Sequence, residues 1–456
     1  MINTLPVDVL LEIFNFCRID EVTTSSLLPW KWHRLAHVCR TWRNVVLSSS
    51  RHLNLELLCT HGTAVRKNLG HLPALPTVIH FSGSNEDSDE DNIIAALEHP
   101  NRIHAIRLNV SHTLLEKMST VAQEPFPELT RLWLESKGDK HMPVLPDAFL
   151  GGYAPRLQKV YLDGIPFPAT PTLLLSARDL VDVSLRGITD ASYVSPEVMV
   201  ASLAVLPRLK YLALGFQWRT SYPNRIRMPL PNTRAVLPAL IRFYFDGLSE
   251  YFEDFVAQID APQLDRLGIG YLDLLGDFQI PQLCKFILRS EKLRLSLFRH
   301  ADIIVIPRIG DTPRTSIIEL WGRSFFTLST RDEGLSSLLS EIAGMLSDVD
   351  RLTIGSGFTG YDTLGPGSSI RWLDLLRSFT AVRSLRVQAG LSQRVALALK
   401  NVTEVGAAEV IPALELLYLE NQPVASVEKF IAARKNVGRP VTFVNKECEF
   451  QERLTE

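Results

Sequence analysis

Arginine, lysine, tyrosine and tryptophan recur between leucines along most of the chain, often two residues apart. These side chains offer large contact areas and several hydrogen-bond geometries, which suits recognition of another protein. An arginine-rich stripe would also suit a phosphorylated or acidic segment. Exposed strand positions favour aromatic and long side chains for structural reasons too, but as a set these residues predict a partner-binding face. Its members are Arg131, Trp133, Lys159, Tyr161, Tyr211, Arg242, Tyr244, Arg266, Arg351, Arg386 and Tyr418.

The residue types that catalyse reactions or bind metals show no comparable organisation. The chain has no Gly-x-Ser-x-Gly or His-Glu-x-x-His motif. Its five cysteines are scattered, without a Cys-x-x-Cys pair at zinc-ligand spacing. Cys59 and His61 are a candidate nucleophile and its general base, but no third group nearby orients them. We therefore predict a protein that is not an enzyme and has no metal site or cofactor.

A recurring phrase, Leu-x-x-Leu-x-Leu with related apolar substitutions, positions the candidate binding residues. In a strand the leucines point inward and the intervening residues point outward. Ten clear copies occur, and weaker ones near Leu293 to Leu297 and Ile317 to Leu320 fill the longest gap. Their spacing is near or slightly above the leucine-rich-repeat period of about 20–29 residues. The clear copies begin at Ile103, Leu129, Leu157, Leu180, Leu209, Leu240, Leu264, Val349, Val382 and Leu414.

Helical patterns lie between these phrases, so that each unit consists of a strand, a turn, a helix and a turn. We predict an α/β fold in which about twelve irregular units over residues 75–456 form a curved leucine-rich-repeat-like solenoid. Its parallel sheet would line the concave face. Residues 49–74 would connect this solenoid to the N-terminal segment, and the acidic run Asn85 to Asp91 would form a solvated loop.

Composition limits the classes of partner and the location. The net charge of -2 and the pI near 6.6 provide no broad basic field for nucleic acid or an anionic membrane. No run of about 18 apolar residues predicts a membrane span. The scattered cysteines indicate a reducing compartment. We therefore expect a cytoplasmic or nuclear protein that binds neither nucleic acid nor membrane.

The N-terminal segment has two helical patterns. Leu5-Pro6 opens the first, in which Leu10, Ile13, Phe14 and Cys17 fall at i, i+3, i+4 and i+7. A second pattern contains Leu35, Val38, Cys39 and Trp42. The first helix is apolar around more than one stripe, which makes a second partner surface plausible. From periodicity alone, an ordinary small helical bundle would explain both patterns equally well.

Residues 1–48 resemble an F-box, in which Leu-Pro, a leucine-rich helix with Ile-Phe and a later Val-Cys-x-x-Trp-Arg follow one another. The resemblance implies an all-α module that docks on a Skp-type adaptor, which bridges to a cullin and its RING subunit. The long connection from Phe16 to Leu35, with Trp30-Lys31-Trp32, is similar to the expanded F-box family of mushroom-forming fungi. The residues implied to form or support the adaptor surface are Leu5, Pro6, Leu10, Ile13, Phe14, Leu35, Val38, Cys39 and Trp42.

Three functions remain open at this point. The resemblance implies the substrate-recognition subunit of an SCF-type cullin-RING ubiquitin ligase, whose solenoid binds a client protein. A leucine-rich-repeat scaffold outside any ligase is the second, and an unrecognised hydrolase is the third. Adaptor binding distinguishes the first from the second, and measured turnover would support the third.

Overall fold

The computed structural model describes most of the chain. The described residues are 5–22, 32–50, 52–53, 55–60, 65, 69, 75–81, 87–136, 138, 142–168, 172–217, 233–271, 280–294, 298–306, 315–331, 335–356, 370–402 and 404–444. Internal contacts divide the chain into two compact units. Unit 1 consists of residues 1–194 and 205–209, and unit 2 of residues 195–204 and 210–456. Both combine helices with a mostly parallel sheet, as the α/β prediction requires.

Unit 1 begins with three helices, α1 (Val7–Val22), α2 (His33–Ala36) and α3 (Arg40–Ser48). Pro6 immediately precedes α1, and its carbonyl accepts the first helical hydrogen bond from the amide of Leu10 at 3.1 Å. A proline at this position costs little because the first amides of a helix have no partner within it.

The sheet of unit 1 is entirely parallel, and its strands follow chain order. The last four strands contain the predicted leucine phrases, whereas β1 lies within the segment 49–74 that the sequence suggests to be a connection. Three further helices, α4 (Asp87–Leu97), α5 (His112–Val121) and α6 (Thr172–Ser176), belong to this unit. The strands are β1 (Leu57–Cys59), β2 (Thr77–Phe81), β3 (Ile103–Val110), β4 (Arg131–Ser136), β5 (Lys159–Asp163) and β6 (Asp182–Ile188).

The acidic run does not form the predicted loop where the structure describes it. Residues 87–91 open α4 instead, and Asp89 is buried. Carboxylates are favourable in the first turn of a helix because the unpaired amides there carry partial positive charge. The loop prediction was therefore wrong for 87–91, and residues 85–86 lie outside the described part.

Two glycines at the ends of β5 and β6 adopt a left-handed backbone conformation. Gly164 and Gly187 have φ of 64° and 63°, a conformation that side chains with a Cβ rarely adopt. The two glycines are neighbours, because the amide of Gly164 donates to the carbonyl of Arg186 at 3.0 Å. A Cβ on Gly187 would lie 2.7 Å from the Gly164 nitrogen. Asp163-Gly164 and Arg186-Gly187 thus lie side by side at the ends of β5 and β6.

Unit 2 contains ten helices and twelve strands among its described residues. The helices are α7 (Pro196–Ala204), α8 (Ser249–Ala257), α9 (Pro281–Arg289), α10 (Glu291–Arg294), α11 (Leu335–Glu341), α12 (Ala343–Leu346), α13 (Trp372–Arg377), α14 (Ala389–Lys400), α15 (Glu404–Glu409) and α16 (Glu428–Asn436). The strands are β7 (Tyr211–Phe216), β8 (Ala235–Val236), β9 (Arg242–Gly247), β10 (Ile259–Asp260), β11 (Arg266–Tyr271), β12 (His300–Ile306), β13 (Thr315–Trp321), β14 (Phe325–Arg331), β15 (Arg351–Ser356), β16 (Ser384–Val387), β17 (Leu416–Leu419) and β18 (Thr442–Val444).

The main sheet of unit 2 departs from chain order at one place. Its order is β7-β9-β11-β14-β13-β12-β15-β16-β17-β18, while β8 and β10 form a separate parallel pair. Strands β12, β13 and β14 form an antiparallel meander, yet β14 is parallel to β11 and β12 is parallel to β15. The weak copy near Ile317 therefore forms a strand, β13, but this strand is antiparallel to both neighbours, whereas a repeat requires a parallel strand. Leu293 belongs to α10, so a strand there was wrong, and residues 295–297 lie outside the described part.

The core lies on the leucine side of each sheet. In unit 2, Phe243 and Phe245 are fully buried and contact Phe252 of α8, with ring centroids 5.7 and 4.8 Å apart. Arg242 and Tyr244 alternate with them and lie on the opposite face. Within the described ranges, no helix combines the length and apolarity needed to cross a membrane.

Candidate functional site

The N-terminal helices pack around a small aromatic core. The rings of Phe14 and Trp42 meet edge to face with centroids 4.9 Å apart, and Leu10 and Phe14 are almost fully buried. The indole Nε1 of Trp32 donates to the carbonyl of Glu56 at 2.7 Å, which ties the module to the start of the sheet in unit 1. The module is thus a packed part of unit 1.

The Val-Cys-x-x-Trp-Arg phrase has a local structural role at the start of α3. Cys39 is the N-cap residue, and its Sγ accepts a hydrogen bond from the amide of Trp42 at 3.4 Å. Arg43 Nε donates to the carbonyl of Ala36 at the end of α2, at 2.9 Å. Together these bonds determine the turn between α2 and α3.

One face of α1 presents apolar side chains to solvent. Val9, Ile13 and Phe16 fall at i, i+4 and i+7, and are 43%, 38% and 69% exposed. We call these three residues the α1 stripe. Val7 and Val38 are also exposed large apolar residues in this module. Exposed apolar side chains grouped on one helix face are typical of an interaction surface rather than of a packed bundle.

The structure divides the residues that the F-box resemblance implies into a core and a surface. Leu10 and Phe14 are buried, so they support the surface instead of forming it. Leu5, Leu35, Cys39 and Trp42 are half-buried, whereas Pro6, Ile13 and Val38 are exposed. The F-box motif does not include Val9 or Phe16. Their signal in the sequence is that both are apolar and adjacent to the periodic residues Leu10 and Cys17.

On the sheet face of unit 1, the predicted aromatic residues form a closed ladder. Trp133 and Tyr161 are register partners whose rings stack at 3.7 Å. The guanidinium of Arg107 covers the Trp133 ring at 4.8 Å, and that of Arg186 lies 6.0 Å from the Tyr161 ring. Both aromatic residues are therefore engaged on their ring faces within the chain, and a partner would reach mainly their edges.

The Tyr161 hydroxyl donates to Asp163 at 2.9 Å. Burial, followed by this hydrogen bond, raises the pKa of Tyr161 to about 12. The tyrosine therefore stays neutral at physiological pH. It serves as a hydrogen-bond donor and as part of the ladder.

The predicted basic residues of unit 1 are paired with carboxylates. Arg131 lies 3.6 Å from Glu56, and Lys159 lies 3.0 Å from Asp182. His104 also approaches Glu56, at 3.9 Å, and burial lowers its pKa below the usual value. Exposed pairs of this kind add little stability, but they neutralise the face electrically.

In unit 2 the predicted residues fall into two groups. Arg351 lies 3.6 Å from Asp350, and Arg386 lies 2.8 Å from Glu420. Tyr418 is the register partner of Arg386 and is half-buried. The other group consists of Tyr211, Arg242, Tyr244 and Arg266 on β7, β9 and β11, which are neighbouring strands.

One polar cluster in unit 2 contains His300, Asp302 and Thr353. His300 Nε2 lies 2.7 Å from Asp302 and 3.3 Å from the Thr353 hydroxyl, so one ring nitrogen contacts both groups. A hydrolytic triad uses the two different ring nitrogens for these contacts. Among the described residues, no cluster of three His, Cys, Asp or Glu side chains is arranged to hold a metal ion.

The remaining sequence candidates for chemistry find no support. Burial raises the pKa of Cys59 to about 12, which opposes a nucleophilic role, and His61 lies outside the described residues. Gly355, Gly357 and Gly360 have the Gly-x-Gly-x-x-Gly spacing at the end of β15. That fingerprint also needs a helix that opens on the glycine loop, and residues 357–369 lie outside the described part of the chain.

The family comparison agrees with the N-terminal geometry. Residues 2–55 match the family model described as F-box-like. The match includes α1, α2 and α3, which contain the aromatic core and the α1 stripe. A search of curated proteins found no match to the chain.

Proposed function

We propose that this chain is the substrate-recognition subunit of an SCF-type cullin-RING ubiquitin ligase. The observation that carries the proposal is the F-box-like match over residues 2–55, in a module that exposes an apolar stripe. F-box domains in general bind Skp-type adaptors. The proposal assigns the α1 stripe to that contact, together with Val38 and the half-buried Leu5 and Leu35.

The energetics of the stripe support docking. Burying a large apolar side chain contributes about 1.5–3 kcal/mol. Phe16 is 69% exposed, so most of this contribution is still available to a partner. Val9 and Ile13 would add less because part of their surface is already covered.

The sheet faces supply the client-binding role in this proposal. We infer that the strand and helix units form a leucine-rich-repeat-like array, supported by ten leucine phrases that all lie at strands. In each sheet they leave one face covered by helices and the other carrying arginine and aromatic residues. A recognition subunit of this kind performs no chemistry. It raises the effective concentration of client lysines near the ubiquitin-conjugating enzyme.

The test is co-expression of the full chain with a Skp-type adaptor. The wild-type chain is expected to co-purify with it. Phe16→Glu should weaken the complex about 100-fold or more, because the variant loses apolar burial and would place a charge in the contact. Affinity is measured by biolayer interferometry with immobilised adaptor.

Leu288→Glu is the matched control. Leu288 lies on α9 in unit 2 and is 63% exposed, so the same chemical change occurs on a comparable surface. This variant should bind the adaptor like the wild-type chain. Absence of adaptor binding by the folded wild-type chain would leave the non-ligase scaffold as the better account. Equal weakening by both variants would refute the assignment of the α1 stripe.

A further inference from the structure

Two of the predicted basic residues differ from the others in their electrostatic surroundings. Of the six, Arg131, Lys159, Arg351 and Arg386 each lie within 3.6 Å of a carboxylate oxygen. Arg242 and Arg266 form no ion pair and no side-chain hydrogen bond within the part of the chain that the structure describes. The sheet faces are thus electrically compensated at four positions and carry excess charge at two.

These two arginines are direct neighbours. They are register partners on the parallel strands β9 and β11, which separates their Cα atoms by about 4.8 Å. Both side chains are exposed, and each is the first residue of its strand. The carboxylate of Asp265, the residue immediately before Arg266, accepts a hydrogen bond from the Ser324 hydroxyl at 3.0 Å. Two adjacent like charges are unfavourable unless an anion lies between them.

Aromatic rings flank the pair on both sides. The Arg242 guanidinium lies over the Tyr211 ring at 5.2 Å, and Tyr211 meets Tyr244 at 5.6 Å. On the other side Phe325 is the register partner of Arg266. The ring centroids of Phe325 and Trp321 are 4.6 Å apart. Contact with an aromatic ring orients a guanidinium without neutralising it. The charge of Arg242 therefore remains available to a ligand.

A glycine keeps the surface between these groups low. Gly268, the residue opposite Tyr244 on β11, has no side chain, and the Tyr244 ring lies across it. A Cβ there would be 2.6 Å from Tyr244 Cδ1 and 3.1 Å from Thr327 Cγ2. The tyrosine thus lies against the sheet, and the side chains of Arg242 and Arg266 beside it are exposed.

We propose that Tyr211, Arg242, Tyr244, Arg266 and Phe325, the arginine–aromatic cluster, bind a phosphorylated side chain in an extended client segment. A phosphoryl group carries a charge of about −1.5 to −2 and three acceptor oxygens, which match two adjacent guanidinium forks. A single carboxylate supplies half that charge. The rings accommodate apolar residues beside the phosphorylated position. That the bound segment belongs to a ligase client rests on the proposed function, whereas phosphate recognition does not.

The experiment uses the full chain, alone or in complex with the Skp-type adaptor. The probes are bead-bound degenerate peptide libraries with a fixed phosphoserine, phosphothreonine or phosphotyrosine. Libraries with the unphosphorylated residue or with aspartate at that position serve for comparison. We expect at least one phosphorylated library to capture the chain about tenfold better than either comparison library. Arg242→Gln/Arg266→Gln should reduce this capture about tenfold, to the level of the unphosphorylated library.

Arg377→Gln/Lys400→Gln is the matched control, because it removes the same charge from helices α13 and α14 of the same unit. It should capture like the wild-type chain. Arg242→Lys/Arg266→Lys keeps the charge but loses the planar forks and should give an intermediate loss. Circular dichroism checks that every variant is folded.

Equal capture by phosphorylated and aspartate libraries would overturn the proposal, as would full capture by the folded Arg242→Gln/Arg266→Gln variant. Adaptor binding is measured separately on the same variants and should not change. A wild-type chain that binds the adaptor but captures no phosphopeptide refutes this inference alone. Phosphopeptide capture by a chain that binds no adaptor refutes the proposed function alone.

Discussion

Replacing Arg434 by methionine should loosen the C-terminal end of unit 2. Arg434 lies on α16 and is 1% exposed. Its Nη1 donates to the carbonyl of Ala407 at 3.2 Å, and its Nη2 donates to those of Pro412 and Leu414 at 3.3 and 2.9 Å. These bonds tie α16 to α15 and to the turn before β17. Burial, and to a smaller extent the charge of Arg439, lowers the pKa of Arg434 below its usual value.

The size of the effect follows from two opposing contributions. A hydrogen bond to a charged group contributes about 1.5–3 kcal/mol, and three would be lost, which leaves buried carbonyls without a donor. Methionine retains the apolar stem and does not require burial of a charge, which offsets part of the loss. We expect a net destabilisation of about 2–4 kcal/mol. Arg439 is exposed, and its Nη1 donates to the carbonyl of Ala408 at 3.1 Å. Arg439→Met should therefore lower the stability of this region by less than about 1 kcal/mol.

Hydrogen exchange followed by mass spectrometry measures this effect locally. That suits a chain of two compact units, in which one global unfolding free energy is poorly defined. Amides of β17 and α16 should exchange about 30- to 1000-fold faster in Arg434→Met, while those of unit 1 should not change. Exchange rates in Arg434→Met equal to those in Arg439→Met would refute the reasoning.

Two further predictions concern buried titratable groups. Burial raises the pKa of Glu253 to about 7 despite hydrogen bonds from the amides of Gln282 and Leu283. The folded state therefore retains this proton between about pH 4.5 and 7, so the stabilisation present at pH 5 is lost as the pH rises through 7. Glu253→Gln should remove about 1–3 kcal/mol of that pH dependence from the local opening free energy of α8, measured by hydrogen exchange at pH 5 and 8; an unchanged difference would contradict the assignment. Cys59, whose thiol has a pKa of about 12, should resist iodoacetamide at pH 8 until the chain is unfolded, while exposed Cys17 reacts in the native state; native alkylation of Cys59, read by peptide mass spectrometry, would contradict this.

The strands could be predicted because their signal is local. Every clear leucine phrase lies at a strand, since alternation of buried and exposed residues needs only neighbouring positions. The meander of unit 2 was missed, although a local signal for it exists. Only three residues separate Trp321 from Phe325, whereas a parallel crossover needs a dozen or more. That short connection implies an antiparallel pair.

The sequence could select candidate binding residues by their type, but it could not predict which of them are paired or stacked within the chain. The partner of Arg131 is Glu56, which lies 75 residues earlier in the chain, so no local pattern predicts that this charge is neutralised. The ladder of Trp133 and Tyr161 likewise depends on the register between two strands. In the N-terminal F-box-like module, the motif identified the buried side of α1 more clearly than its exposed side, because the motif residues include those that maintain the fold.

The meander in unit 2 also imposes a rule of parity on any change in the number of strands. Two reversals return the chain to its original direction, so β12 and β14 both continue the polarity of the strands beside them. Inserting or deleting a single strand here would make all later strands antiparallel to the earlier ones. Inserting or deleting two strands would keep them parallel. During synthesis, one edge of β11 stays unpaired until β14 has been made. Phe325 of β14 is the register partner of Arg266 and lies 59 residues later in the chain. Until then the open edge of β11 is the point at which a nascent chain is most exposed to pairing with another chain.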